Sequence, residues 1–426
     1  MKIGRSLAAG GLALVLVGCV GFQKPVTPPP HAFISYRTPD PGDKSLRLGV
    51  KDLIDMKGEV TSAGSEYLSK HAKPAVRDAE CLRFARRDGV TIVGKTNLSE
   101  FAIGVSGSND YFGTPVNPLA PDRVPGGSSS GSASAVGFGL ADVALGTDTA
   151  GSIRVPAACC GIAGLKTTFG LISIKGVYPI SPNYLDTVGP MAKDVKGLVA
   201  GMELLQANFA SLYAQAREAH PTAKGVRIGL LRVPGTDPAI SRAVEAALAR
   251  AGFQVVPLDK TFLKAWKKAQ SNGNLVAAAA SYYNNRTLQK EQGVRRRAKV
   301  AMSFGKLVFG WLFDSEEKRD AAIAERDAWR ETLHQTFENV DAIALPVLQH
   351  VPPRRNYILP GVFEGLFLGL QYTVAVNYAG VPALAIPIPL KGRAIPVTSL
   401  QLIGPPDSEA ELLNIGRLVE RSQQIR

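Results

Sequence analysis

Gly126-Gly127-Ser128-Ser129-Ser130-Gly131-Ser132-Ala133-Ser134 is the stretch on which the reading of this chain turns, and Gly146-Thr147-Asp148-Thr149-Ala150-Gly151-Ser152-Ile153-Arg154 is its companion. Runs this dense in small residues ordinarily make flexible linkers. Here both lie between structured apolar runs, and two such loops inside one apolar core bring backbone close to a ligand. Two familiar motifs fail on them. Residues 127–131 match Gly-x-Ser-x-Gly with Ser129 at the centre, but that nucleophile elbow needs a strand directly before it, and Val124-Pro125-Gly126 is a poor strand end. Residues 146–151 have the glycine spacing of a phosphate loop, yet Ser152 stands where the lysine belongs.

Outward from these loops, short apolar runs alternate with helical patterns, which indicates an α/β fold. Residues 46–50, 90–93, 143–146, 226–231, 253–258, 342–345, 383–387 and 400–403 read as strands. Helices are expected at 75–87, at 130–139 and at 237–251, the last with Asp237 at its start and Gly252 beyond its end. Residues 264–338 are mainly helical and charged, and a helix over 408–421 closes the chain. The apolar stretch 357–376 contains Pro360 and Glu364 among glycine and glutamine interruptions, which suits a buried helix or loop better than a membrane span. No internal repeat or composition shift marks a boundary, so one domain is the simpler expectation.

The 426 residues, 45% hydrophobic and 20% charged, suffice for a large core and exclude a disordered or fibrous protein. The net charge is +13, but the basic residues are spread out. The densest run, Arg295-Arg296-Arg297, reads better as a solvated helix face than as a nucleic-acid site. Cys19, Cys81, Cys159 and Cys160 give neither a disulfide framework nor metal spacing, and adjacent Cys159 and Cys160 read as packed apolar side chains. The five histidines are scattered; no metal or other cofactor is expected.

At the N-terminus, Lys2 and Arg5 precede an apolar run over residues 7–17 that is too short to span a bilayer but fits a secretory signal. It ends in Leu16-Val17-Gly18-Cys19, which resembles a bacterial lipobox. The resemblance implies cleavage before Cys19, a lipid on its thiol, and attachment to a membrane of the cell envelope. Val20 is not Asp, so by the same analogy nothing retains the protein at an inner membrane. The proline-rich segment 25–30 then forms an extended tether. The expected organisation is a signal over 1–18, a lipidated cysteine and tether over 19–31, and a catalytic domain over 32–426.

Taken together, the serine-rich loops resemble the amidase signature family. Ser128 and Ser152 lie 24 residues apart, as that family's paired serines do. Gly49-Val50-Lys51-Asp52-Leu53-Ile54-Asp55 resembles its lysine motif, and Gly94-Lys95-Thr96-Asn97-Leu98-Ser99-Glu100-Phe101, Leu185-Asp186-Thr187-Val188-Gly189-Pro190 and Gln401-Leu402-Ile403-Gly404 match further landmarks. The resemblance implies a single-domain α/β/α sandwich whose large mixed β-sheet is covered by helices. It makes Lys51 the base, Ser128 the bridging serine in a cis peptide, and Ser152 the nucleophile. The backbone amides of Thr149, Ala150, Gly151 and Ser152 would form the oxyanion hole. Ser130 and Ala150 stand where the family usually has glycine; both are small. The lead before the lysine motif is shorter than in many relatives, which implies a more open edge of the cleft, and the region after Gly201, which in the family usually shapes substrate choice, is compressed.

These residue types suit amide hydrolysis, which needs an activated nucleophile and donors for a tetrahedral oxyanion. Neutralising a free lysine at pH 7 costs about 4.6 kcal/mol, and burial can supply a shift of that order. A hydroxyl at Ser128 can donate to one partner while accepting from another. Asp148 and Arg154 flank the second loop and are expected to form a buried pair fixing its shape. The expected partner is a small-molecule amide; the sequence leaves its identity and the oligomeric state open. Against hydrolysis stand a non-catalytic binding protein of the same fold, an amidotransferase-like component, which the export signal opposes, and a nucleic-acid binder, which no motif supports.

Overall fold

The computed structural model describes residues 31–312, 315–355 and 370–424. Strands β1 (Phe33–Tyr36), β2 (Arg47–Lys51), β3 (Thr91–Thr96), β4 (Val143–Asp148), β5 (Ala163–Lys166), β6 (Thr187–Ala192), β7 (Arg227–Leu230), β8 (Gln254–Pro257), β9 (Ala342–Pro346), β10 (Ala383–Pro389) and β11 (Val397–Ile403) form one sheet. Its order is β1-β3-β2-β4-β6-β5-β10-β11-β9-β7-β8. The sheet is mixed: β3-β2-β4 run parallel, as do β9-β7-β8, while the neighbours between them are antiparallel.

Strand periodicity sorts the side chains between two covered faces. Val143 and Leu145 face one core cluster and Ala144 the other; Leu384 and Ile386 alternate with Ala385 in the same way. On the first face the helices Val195–Glu203, Pro238–Ala251 and Glu409–Gln424 pack over the sheet, with Val195, Val244, Leu248, Leu413 and Val419 in the same cluster as the strand residues. On the other, Ile343 and Leu345 meet Trp266, Trp329 and Tyr372 from the helices Lys260–Asn285, Glu316–Phe337 and Leu370–Ala379. The α/β sandwich expected from sequence is what the chain builds.

Local signals behave as their chemistry requires. Asp237 caps the Pro238–Ala251 helix by accepting from Ala239 N–H at 2.8 Å, Pro238 occupies the first turn, and Gly252 ends it at φ +84°. The helix expected over 75–87 is different: only Glu80–Leu82 (3-10) and Arg83–Arg87 are helical. Residues 75–79 are drawn out instead because their amides pair with the preceding loop, Ala75 N–H with Glu59 O and Ala79 N–H with Asp55 O, both at 2.9 Å. Of the apolar stretch 357–376, the described part belongs to the Leu370–Ala379 helix, in which Tyr372, Val374, Ala375 and Val376 are buried; the rest lies outside the described residues, as do Cys19, the signal and most of the tether.

Because Leu145 is fully buried in the middle of the sheet, Leu145→Ala should cost about 2–5 kcal/mol. The drop in urea unfolding midpoint measures it; a midpoint within error of the wild type would contradict this packing.

Candidate active site

Lys51 ends β2 and Thr147 and Asp148 end β4, and the two strands run parallel side by side, so all three side chains arrive at one edge of the sheet. The loop 126–129 and the helix Ser130–Gly137 reach that edge from the sequence before β4, and the loop 149–153 with the helix Arg154–Cys160 from the sequence after it. Small residues permit the convergence. A Cβ on Gly131 would run into the backbone of Asn97, and one on Gly151, at φ +128°, into the Thr373 side chain. The Gly127–Ser128 peptide is cis. Ser129 N–H donates to the Ser152 carbonyl at 3.3 Å, which joins the two serine loops.

Lys51 is fully buried, and its Nζ lies 2.8 Å from Ser128 Oγ and 2.8 Å from Thr147 Oγ1. Among the described residues it has no ion-pair partner. Burial pushes its pKa down to about 7, against the weaker opposite pull of the Asp148 and Asp186 charges. Ser128 is fully buried and Ser152 nearly so. A buried lysine that is half neutral near pH 7 and touches a serine hydroxyl can accept a proton from it.

The loop that carries Ser152 is shaped by the expected Asp148–Arg154 pair, which is fully buried with Nη2–Oδ1 at 2.9 Å and Nε–Oδ2 at 3.0 Å. Asp148 also accepts from Gly151 N–H at 2.8 Å, Ile153 N–H at 3.1 Å and Asn377 Nδ2 at 2.8 Å. Burial alone would raise the Asp148 carboxyl; the adjacent guanidinium and these donors outweigh it and hold it well below the usual carboxylate range. Arg154 spends its remaining donors on Thr373 O, Gln401 Oε1 and Asn377 Oδ1. The expected oxyanion donors divide accordingly. The Gly151 amide is committed to Asp148, whereas those of Thr149, Ala150 and Ser152 have no acceptor among the described residues.

Four further residues have roles that the sequence alone did not assign, although they lie inside the motifs or beside the site. Asp52, next to Lys51, pairs with Lys95 at 2.9 Å, both buried, and takes the Ser62 hydroxyl; Lys95 also donates to Ile54 O at 2.9 Å and Thr61 Oγ1 at 3.0 Å. Asp186 is buried and accepts from Thr149 Oγ1 at 2.7 Å and from the amides of Ile180 and Ser181. Burial raises its pKa, opposed by these donors and by Lys51. Thr373 Oγ1 donates to Ala150 O at 2.6 Å. For Asp52, Lys95 and Asp186 the signal available was position, inside a quoted landmark; Thr373 had none. Cys81, Cys159 and Cys160 are free and buried, as packed small side chains are. Among the described residues no group of three or more His, Cys, Asp or Glu could hold a metal.

Removing one partner of the Asp148–Arg154 pair strands a buried charge, so Arg154→Met should destabilise the protein by about 3–5 kcal/mol. Thermal and urea unfolding measure it, and an unchanged midpoint would mean that Asp148 needs no cation.

Comparison with known proteins identifies the family and the fold. The family model Amidase matches residues 45–413. The glutamyl-tRNA(Gln) amidotransferase A subunit of Symbiobacterium thermophilum is 34% identical over 402 residues, which cover 86% of this chain and 80% of that protein. Among solved structures, the corresponding amidotransferase protein from Thermotoga maritima has a TM-score of 0.75 at 27% identity, covering 92% of this chain and 87% of that one. A crystal structure of an amidase has a TM-score of 0.73 at 27% identity, covering 89% and 84%. By sequence and by fold this chain belongs to the amidase family, whose enzymes act on carbon–nitrogen amide bonds.

Proposed function

We propose that the protein is an amidase that hydrolyses a carbon–nitrogen amide bond of a small molecule through an acyl-enzyme on Ser152. The observation that carries this reading is the buried Lys51, in contact with Ser128 and without an ion-pair partner among the described residues. Neutral Lys51 takes the Ser128 hydroxyl proton as Ser128 Oγ takes that of Ser152, and Ser152 Oγ bonds to the substrate carbonyl carbon. The oxyanion formed is met by the free amides of Thr149, Ala150 and Ser152. As the C–N bond breaks, the proton returns through Ser128 to the leaving nitrogen. Water, deprotonated along the same path, then cleaves the ester and releases the carboxylic acid.

Similarity to one component of an amidotransferase favours a second reading, in which the same chemistry releases ammonia for transfer within a larger assembly. The lipobox at Cys19 weighs against it, because a reaction on transfer RNA belongs in the cytosol. We place the protein in the cell envelope, held to a membrane by lipid on Cys19. Inhibiting lipoprotein signal processing should then leave the precursor uncut, and normal maturation under the inhibitor would remove the anchor.

Ammonia or amine release across a panel of aliphatic, aryl and peptide amides tests the activity. Ser152→Ala should lower turnover at least about a thousandfold while keeping the unfolding midpoint. A serine-reactive phosphonate should add its mass to Ser152; an unlabelled, inactive wild type would mean a binding protein instead. Since protonated Lys51 cannot accept, kcat/KM should rise with pH through about 7 and level off above it. A profile flat from pH 5 to 9 would exclude Lys51 as the base.

A further inference from the structure

The helix Arg296–Leu312 is apolar on both sides, although among the described residues only one side is covered. Ala298 and Met302, with Val294 just before the helix, are buried against Leu53, Phe101 and Ile180. Gly305 lies so close to the Lys260–Asn285 helix that a Cβ would meet the Ala278 carbonyl. On the other side Val300, Phe304, Leu307 and Trp311 recur at helical spacing, and they are 38, 41, 73 and 57% exposed. Single exposed apolar residues need no explanation, but a stripe of four large ones along one helix does.

The charges around the stripe are mainly basic, with Glu291 just before the helix and the exposed Glu317 and Asp320 just beyond it as exceptions. Arg296 and Lys306 are exposed on the helix, and Arg286 and Lys290 are exposed just before it. Between Arg286 and Leu312 the only acidic residue is Glu291. At its far end Lys318 lies 5.8 Å from the Trp311 ring. An apolar face edged by Lys and Arg, with a tryptophan at one end, matches an anionic bilayer surface, where aromatic and aliphatic groups enter the headgroup boundary and cations meet phosphates. Among the described residues no helix is long and apolar enough to cross a membrane.

We propose that this face of the Arg296–Leu312 helix docks the protein, flat, on an anionic phospholipid surface. The contact is separate from Cys19 and independent of the chemistry at Ser152. It also orients the molecule, because the covered side of the same helix packs on Leu53, two residues beyond Lys51.

The chain supplies its own reporter. Of its three tryptophans, Trp266 and Trp329 are buried and Trp311 is exposed. Full-length protein is mixed with phosphatidylglycerol vesicles carrying brominated acyl chains, which quench only fluorophores that enter the bilayer. Trp311 should be quenched, less so in 0.5 M salt and much less with phosphatidylcholine alone, and Trp311→Phe should abolish the effect. The readout follows this helix whatever holds the N-terminus. Leu307→Glu and Lys306→Glu, both at exposed positions, should keep the circular dichroism spectrum and weaken vesicle partition at least about fivefold. Absence of quenching on phosphatidylglycerol, equal quenching on phosphatidylcholine, or equal partition of both variants would overturn the proposal. So would a concentration-dependent dimer that Leu307→Glu dissociates without any vesicle response, which would give the face to a second copy of the chain.

Discussion

A lysine taken wholly out of water, with two hydroxyls but, among the described residues, no carboxylate to bond, is the constraint around which the site is arranged. An ammonium there is costly, so the side chain sheds its proton far more readily than in water. That holds only while nearby carboxylates are occupied elsewhere. Asp52, the next residue, is matched by Lys95, and Asp148 by Arg154. Asp186 is held by a threonine hydroxyl and two amides. The neighbouring buried pairs are therefore part of the lysine's environment: each keeps a negative charge from capturing Lys51 as a salt bridge.

The same pairs set backbone geometry. Asp148 gathers the amides of Gly151 and Ile153, which curls the chain around the carboxylate and leaves the amides of Thr149, Ala150 and Ser152 without partners among the described residues. Asp186 fixes the Thr149 side chain and Thr373 the Ala150 carbonyl. Donors held in this way need little rearrangement when charge develops in front of them.

Much of this was legible in the sequence. The two serine loops, the lysine at a strand end and the Asp148–Arg154 pair were all readable, because small residues packed so densely inside apolar runs have few other uses. The eight strands foreseen from apolar runs are all present, with shifted ends. Missed were β1, β5 and β6: Ala163–Lys166 is short, and Thr187–Ala192 contains Gly189 and Pro190, whose composition reads as a turn until the closely packed neighbour, Leu165, is seen. Residues 75–79 looked helical because the loop that pairs with them is invisible in a local pattern. The roles of Lys95, Asp52 and Asp186 were hidden for a related reason: a lone charged residue reads as solvated unless its partner is known. The Arg296–Leu312 helix shows the reverse limit, since apolar residues on both sides do not tell which side the rest of the chain covers.

Strand order carries a last consequence, for the way the enzyme comes off the ribosome. The last two strands among the described residues, β10 and β11, are inserted between β5 and β9, so they join two parts of the sheet that both precede them in the chain. The guanidinium of Arg154 likewise reaches Thr373, Asn377 and Gln401, more than two hundred residues downstream. Until that last portion is synthesised, Asp148 lacks much of its bracing and the sheet its centre. A nascent or prematurely ended chain thus carries Lys51, Ser128 and Ser152 without the strands and side chains that brace the loops around them.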